Sequence, residues 1–172
     1  MRELEKKLYE ECIKGIAEKK IGLEHSTIQK YLSKFLIELY GFNNIKEVLC
    51  EKEVKTIDEK DNKIKWYVDI YLKRKDGVKL FVEVKTRLDF SDEQFIKRKI
   101  KKIVNSSEFS NDYNSVIVFC LPGNYSKDIY NSVKDIIEKE LKSNKIRSKY
   151  WLVLYNKQAL GNGLVWSFYI QE

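Results

Sequence analysis

The sequence predicts an α/β domain in which a central mixed β-sheet is flanked by helices, the elements following one another as α-α-β-β-β-α-β-α-β-β. Three observations predict it. Two stretches with apolar residues at helical spacing open the chain, three strand-like stretches follow, and helical and strand-like stretches then alternate to the end.

The opening segment places Leu4, Leu8, Cys12, Ile13 and Ile16 on one helical stripe, with Gly22 after Lys19-Lys20 as a stop. A second helix is expected from Glu24 to Tyr40. Its stripe is Ile28, Tyr31, Leu32, Phe35, Leu36 and Leu39, and Gly41 ends it at a position that tolerates positive φ. Residues 48–57, 64–73 and 78–86 are rich in β-branched and aromatic side chains and read as three antiparallel strands. Ser91 and Gln94 form a capping box that opens a helix with Phe95, Ile96, Ile100, Ile103 and Val104 on one side and basic residues on the other. A short buried strand, 115–121, stops at Pro122-Gly123. An amphipathic helix, 126–141, and two strands, 150–155 and 164–170, around Gly161-Asn162-Gly163 complete the chain.

With 172 residues, no repeat and only one proline, Pro122, the chain is expected to form a single domain. Within it, 1–21 is an N-terminal helix, 22–121 a motif-bearing core, and 122–172 a C-terminal helix and hairpin. Hydrophobic residues at 43% and charged residues at 34% argue against a disordered chain, and no apolar run approaches the roughly 20 residues that span a bilayer. The N-terminus lacks a leader pattern, and Cys12, Cys50 and Cys120 fit no metal or redox spacing. The expectation is a cytoplasmic protein with reduced, buried thiols and no membrane partner. The net charge of +7 favours a polyanion such as nucleic acid, although a Lys-rich composition can have other origins.

Chemistry concentrates in Trp66-Tyr67-Val68-Asp69-Ile70-Tyr71-Leu72 and Leu80-Phe81-Val82-Glu83-Val84-Lys85. Side chains alternate along a strand, so Val68, Ile70 and Leu72 should share one face, and Tyr67, Asp69 and Tyr71 the other. Glu83 and Lys85 likewise share a face with Phe81. A three-residue loop, Lys75-Asp76-Gly77, pairs Arg74 with Val78, and counting back along both strands sets Asp69 opposite Glu83. A two-residue turn would put Asp69 on the wrong face. Two facing carboxylates repel, and a divalent cation is the natural compensation. Lys85 could then orient a water and stabilise charge on a phosphate. The bland alternative is a solvent-facing hairpin with weak surface ion pairs, but Asp69 and Glu83 sit inside apolar runs where burial demands a partner.

Asp69, Glu83-Val84-Lys85 after an aliphatic run, a preceding helix containing Glu24 and ending in Tyr40-Gly41-Phe42, and a strand with Glu51 together resemble the PD-(D/E)xK nuclease superfamily. The likeness is greatest to the N-terminal nuclease domains of type I restriction enzyme motor subunits and to archaeal Holliday junction resolvases, over residues 22–104. Val68 stands where many members have proline. The resemblance implies a restriction-endonuclease-like core and Mg²⁺-dependent DNA cleavage, with Mn²⁺ as a substitute. It implies Asp69, Glu83 and the carbonyl of Val84 as metal ligands and Lys85 as catalytic lysine. Glu24 is the expected acidic helix residue, with Glu38 as a rival on nearly the same side. Restriction, recombination and mobile-element or viral DNA processing are the implied settings. A junction resolvase acting as a homodimer and a non-cleaving DNA-binding module are the alternatives.

On the helix after the motif, Lys97, Arg98, Lys99, Lys101 and Lys102 suit a phosphate backbone, and Gln94 lies where some members place a glutamine near substrate; a solvated basic face and the cap explain the same residues. His25, the only histidine, reads as a polar residue at a helix start. No GxxxxGK[ST] occurs, so translocation would need a separate motor partner.

Overall fold

The structure is a computed structural model that describes residues 3–19, 21–58, 60, 62–88, 92–161 and 163–171. Helices α1 (Glu3–Glu18) and α2 (Leu23–Tyr40) precede strands β1 (Ile45–Ile57), β2 (Lys63–Arg74) and β3 (Lys79–Val84). Helix α3 (Asp92–Val104), β4 (Ser115–Pro122), α4 (Lys127–Ser143), β5 (Lys149–Leu160) and β6 (Gly163–Gln171) follow. Among the described residues, a 3₁₀ turn, Phe42–Asn44, is the one short addition to the expected elements. Ser91, the expected cap of α3, lies outside the described residues.

The six strands form one sheet in the order β1-β2-β3-β4-β5-β6. β1, β2 and β3 are antiparallel neighbours, β3, β4 and β5 run parallel, and β6 returns antiparallel to β5. The periodicity explains the layering. Ile28, Leu32 and Leu36 of α2, with Cys12 of α1, pack on Ile70, Leu72, Leu80, Val82, Val118 and Val153. Ile96, Ile100 and Ile103 of α3 and Val133 and Ile137 of α4 cover Tyr71, Phe81, Ile117 and Phe119 on the opposite face. The crossovers through α3 and α4 thus lie on one side of the parallel strands, which are buried on both faces. Among the described residues, no helix is long and apolar enough to cross a membrane.

The β2–β3 register follows the three-residue loop. Gly77 has φ +92°, Arg74 N–H donates to the Val78 carbonyl at 2.7 Å, and Ile70 pairs with Val82. One expectation fails: Val68 does not share a face with Ile70 and Leu72 but packs with Trp66 and Val54 against the α3 layer. The cause is Glu51, which adopts φ +53° in β1 between the Cys50–Ile70 and Lys52–Val68 pairs. A left-handed residue breaks the pleat, so both strands exchange faces at the level of Glu51 and Asp69 without changing register.

All three cysteines are buried and free, and the Sγ atoms of Cys12 and Cys50, distant in sequence, lie 2.6 Å apart. This contact depends on how closely α1 approaches β1. A Cβ on Gly15 would collide with the Cys50 carbonyl. A helical Gly→Ala change ordinarily gains about 0.5–1 kcal/mol. Gly15→Ala is expected to do the reverse, destabilising the protein by about 1–3 kcal/mol as overpacking does, read as a lower urea midpoint.

Candidate metal and phosphodiester site

Asp69 stands at the point where β2 and β3 part. The last cross-strand pair is Ile70–Val82, and beyond it Asp69 Oδ2 accepts the Val84 backbone N–H at 2.7 Å. A carboxylate thus takes the place of the next ladder bond, which leaves the charge 7% exposed at the bottom of an opening between strands. Glu83, next to Val84, is fully buried on the α3 side. β3 ends at Val84, so Lys85 lies just past the strand, its N–H on the Cys120 carbonyl and its ammonium 4.5 Å from the Phe95 ring centroid.

Helix α2 and the distorted β1 add three side chains. His25 Nε2 lies 3.4 Å from Asp69 Oδ1. Gln29 Nε2 donates to Glu51 Oε1 at 2.5 Å and to the Asp69 carbonyl at 3.2 Å. His25, Gln29 and Ser33 are four residues apart on one side of α2, the spacing that puts them in a row. The left-handed φ of Glu51 turns its carboxylate toward that row instead of into the apolar layer. Ligand atoms of His25, Glu51 and Asp69 fall within 4.8 Å of one another.

From the other side, α3 delivers Lys99. Its ammonium forms an ion pair with Glu83 Oε2 and lies 5.1 Å from the Trp66 ring centroid. The electrostatics follow from this crowding. Burial, and then the Asp69 charge, push the Glu83 carboxyl up to about 8 against the opposing pull of Lys99. Burial also raises Glu51, with Asp69 adding to it and Gln29 opposing. Burial disfavours the His25 imidazolium, but the hydrogen bond and charge of Asp69 outweigh it and His25 ends above its usual value. Lys99 ends raised as well, since Glu83 and Asp69 together overcome its desolvation.

The structure therefore brings Asp69, Glu83, Val84 and Lys85 to one end of the β2–β3 hairpin. It does not bring Glu24 there: that residue is exposed and lines a neighbouring cavity with Thr86, Arg87 and Tyr155. Glu38 is farther along α2, paired with Lys34 at 3.8 Å. Glu24 directly precedes His25, and one residue of an α-helix, about 100° of rotation, turns it out of the row that His25 begins. The basic face of α3 is also divided. Lys99 points into the site, Lys97 pairs with Glu93 at 2.6 Å and Glu140 at 3.6 Å, and Arg98 donates to the Gln94 carbonyl. Lys102 approaches Trp66 at 5.8 Å, Lys101 is partly exposed, and Gln94 is exposed. His25, Gln29 and Lys99 are additions that the pattern of the strands alone did not identify. The available signal was the polar row through α2, since Gln29 and Ser33 interrupt an otherwise apolar stripe.

Neither family models, nor curated proteins, nor solved structures yield a match to this chain.

The donor set fits a divalent cation. Carboxylates and an imidazole converge, and Glu83 Oε1 is buried with no hydrogen-bond partner among the described residues. Buried carboxylates that repel one another are stabilised most directly by a cation, and here Lys99 supplies one unit of positive charge.

Proposed function

We propose that this protein is a metal-dependent DNA endonuclease of the PD-(D/E)xK type, with a restriction-endonuclease-like core. The observation that supports it best is the pairing geometry. The three-residue turn fixes a register that brings Asp69 and Glu83 to adjoining strands where those strands separate, with Lys85 following. Asp69 and Glu83, with the Val84 carbonyl, would hold Mg²⁺ or Mn²⁺, and Glu51 and His25 extend the set. An imidazole ligand favours Mn²⁺ over Mg²⁺. The cation would supply Lewis-acid polarisation of the scissile phosphate.

The protein's own groups carry the rest. The Val84 N–H fixes one Asp69 oxygen, so the carboxylate presents the other toward His25. Gln29 holds Glu51 against the Asp69 backbone. Lys85, beside the strand opening, stabilises charge on the phosphate and orients the attacking water, leaving 3′-hydroxyl and 5′-phosphate ends. Lys97, Arg98, Lys101, Lys102 and Gln94 are the proposed backbone contacts on α3, with Lys97 having to leave its acidic partners.

Lys99 favours a second reading, a DNA-binding module that keeps the site closed by its own ammonium. The ion pair with Glu83 places a competing cation at the carboxylates. Lys99→Met is therefore expected to tighten Mn²⁺ binding by about tenfold, equivalent to roughly 1.4 kcal/mol, measured by calorimetry.

The deciding assay incubates the protein and a Glu83→Ala/Lys85→Ala double variant with plasmid, linear, single-stranded and four-way-junction DNA in Mg²⁺, Mn²⁺ or EDTA. Cleavage that needs metal and disappears in the variant supports the nuclease, and a preference for the junction supports a dimeric resolvase. Binding without cleavage in every condition sinks the enzyme and leaves the binding module.

A further inference from the structure

Beside the site, at the carboxyl ends of β3 and β4 and where the parallel pairing of β4 with β5 stops at Pro122 and Tyr155, lies a polar cavity of about 430 Å³. Small-molecule pockets occupy roughly 300–1,000 Å³, and in parallel sheets they tend to lie at this end of the strands. The cavity shares a wall with the proposed centre. The Tyr155 hydroxyl donates to the carbonyls of Lys85 and Thr86, at 3.5 and 3.4 Å, and Glu24 directly precedes His25. Thr86 and Arg87, which follow Lys85 directly in the chain, line the cavity.

Resting on the nuclease reading above, we infer that this cavity receives one unpaired nucleotide flanking the scissile phosphate, so that the substrate is single-stranded or has a nucleotide turned out of its helix. The lining matches each part of that ligand. Arg87 and Lys157 supply two cations for a phosphate, against one carboxylate, Glu24. Asn124 and Asn156 each offer both a donor and acceptors, which a base edge requires. Tyr125 provides an aromatic surface, and its position is set: its hydroxyl accepts the Leu88 N–H at 3.1 Å and its own N–H donates to Tyr130 Oη at 3.0 Å.

The floor is tightly built. A Cβ on Gly123 would stand 2.5 Å from Asn156 Oδ1 and 3.0 Å from the Tyr155 carbonyl, so a larger residue there would displace the Asn156 side chain and press on the β5 backbone. The Gly123 N–H to Tyr155 carbonyl bond of 2.7 Å joins them. A base still paired with its complement cannot present its hydrogen-bonding edge to such a recess, which is why the ligand must be unpaired.

The test is fluorescence anisotropy in EDTA, with one labelled oligodeoxynucleotide used as a single strand and annealed to its complement. The wild type is expected to bind the single strand more tightly. Arg87→Ala and Asn156→Ala should each weaken that binding by about tenfold and erase the preference, with unchanged melting temperatures. Equal binding of both forms by the wild type, or variants that keep the preference, would overturn the inference. Metal-free binding separates this outcome from that of the nuclease. Single-strand preference lost in both variants supports the pocket even if no DNA is cut, whereas cleavage of duplex DNA at the same rate by wild type and both variants overturns the pocket and leaves the nuclease standing.

Discussion

Asp69→Asn is expected to lower metal-dependent cleavage by at least about 10²–10³-fold, the scale on which loss of one preorganised electrostatic group acts. Asparagine keeps an oxygen for the Val84 N–H, so the strand opening and the fold should persist. What disappears is the charge. His25 loses the partner that raises its pKa, and Glu83 loses one of the three causes that push its own upward, burial and the Glu51 charge remaining. Single-turnover cleavage with saturating Mn²⁺, together with the imidazole titration of His25 by NMR, reads both effects. A variant that cleaves like wild type while His25 titrates lower would remove Asp69 from the reaction but leave the electrostatic description intact.

The second large effect is on stability. A carboxyl held near 8 in the folded protein and near 4.3 in the unfolded chain binds more protons when folded between those values, so stability falls as pH rises across that window. His25 acts with the same sign: its raised value adds stability below about 6.5 that is lost as pH climbs through the folded pKa. Fully buried Glu83 makes the larger contribution, on the order of 3–5 kcal/mol. In EDTA the protein should melt markedly lower at alkaline than at mildly acidic pH. Glu83→Gln should raise the alkaline melting temperature by about 10 °C and leave the acidic one nearly unchanged. Metal should stabilise the wild type and not the variant, since only a ligand that binds the folded form shifts the equilibrium. Identical pH dependence in the two proteins would refute the assignment.

Much of this fold is legible because period and burial agree. The α2 and α4 stripes each point to one face, the β4 run from Ser115 to Leu121 is apolar throughout because both of its faces are buried, and the Lys75-Asp76-Gly77 turn carries the hairpin register. What the sequence does not show is the exchange of faces at Glu51 and Asp69. It arises from one left-handed residue in β1, a position that glycine or asparagine usually marks and a glutamate conceals. The same event hides the role of Glu51, because strand alternation alone cannot tell where its carboxylate points. Lys99 carries a signal of its own. Of the five basic residues between 97 and 102 it alone lies within the apolar stripe, four residues after Phe95 and four before Ile103, and the depth of α3 against β3 then brings it to Glu83. For Glu24, a position near the start of α2 was a sound guide to the right end of the helix. A single residue of helical rotation then puts His25, instead, beside Asp69.

The most direct examination of the metal centre is anomalous diffraction from crystals of this protein soaked in Mn²⁺. The expected result is a peak between Asp69 and Glu83, within bonding distance of both carboxylates, with Lys99 moved away from Glu83. A peak elsewhere, or none with Lys99 still paired to Glu83 at saturating Mn²⁺, would contradict the assignment of these residues as a metal centre.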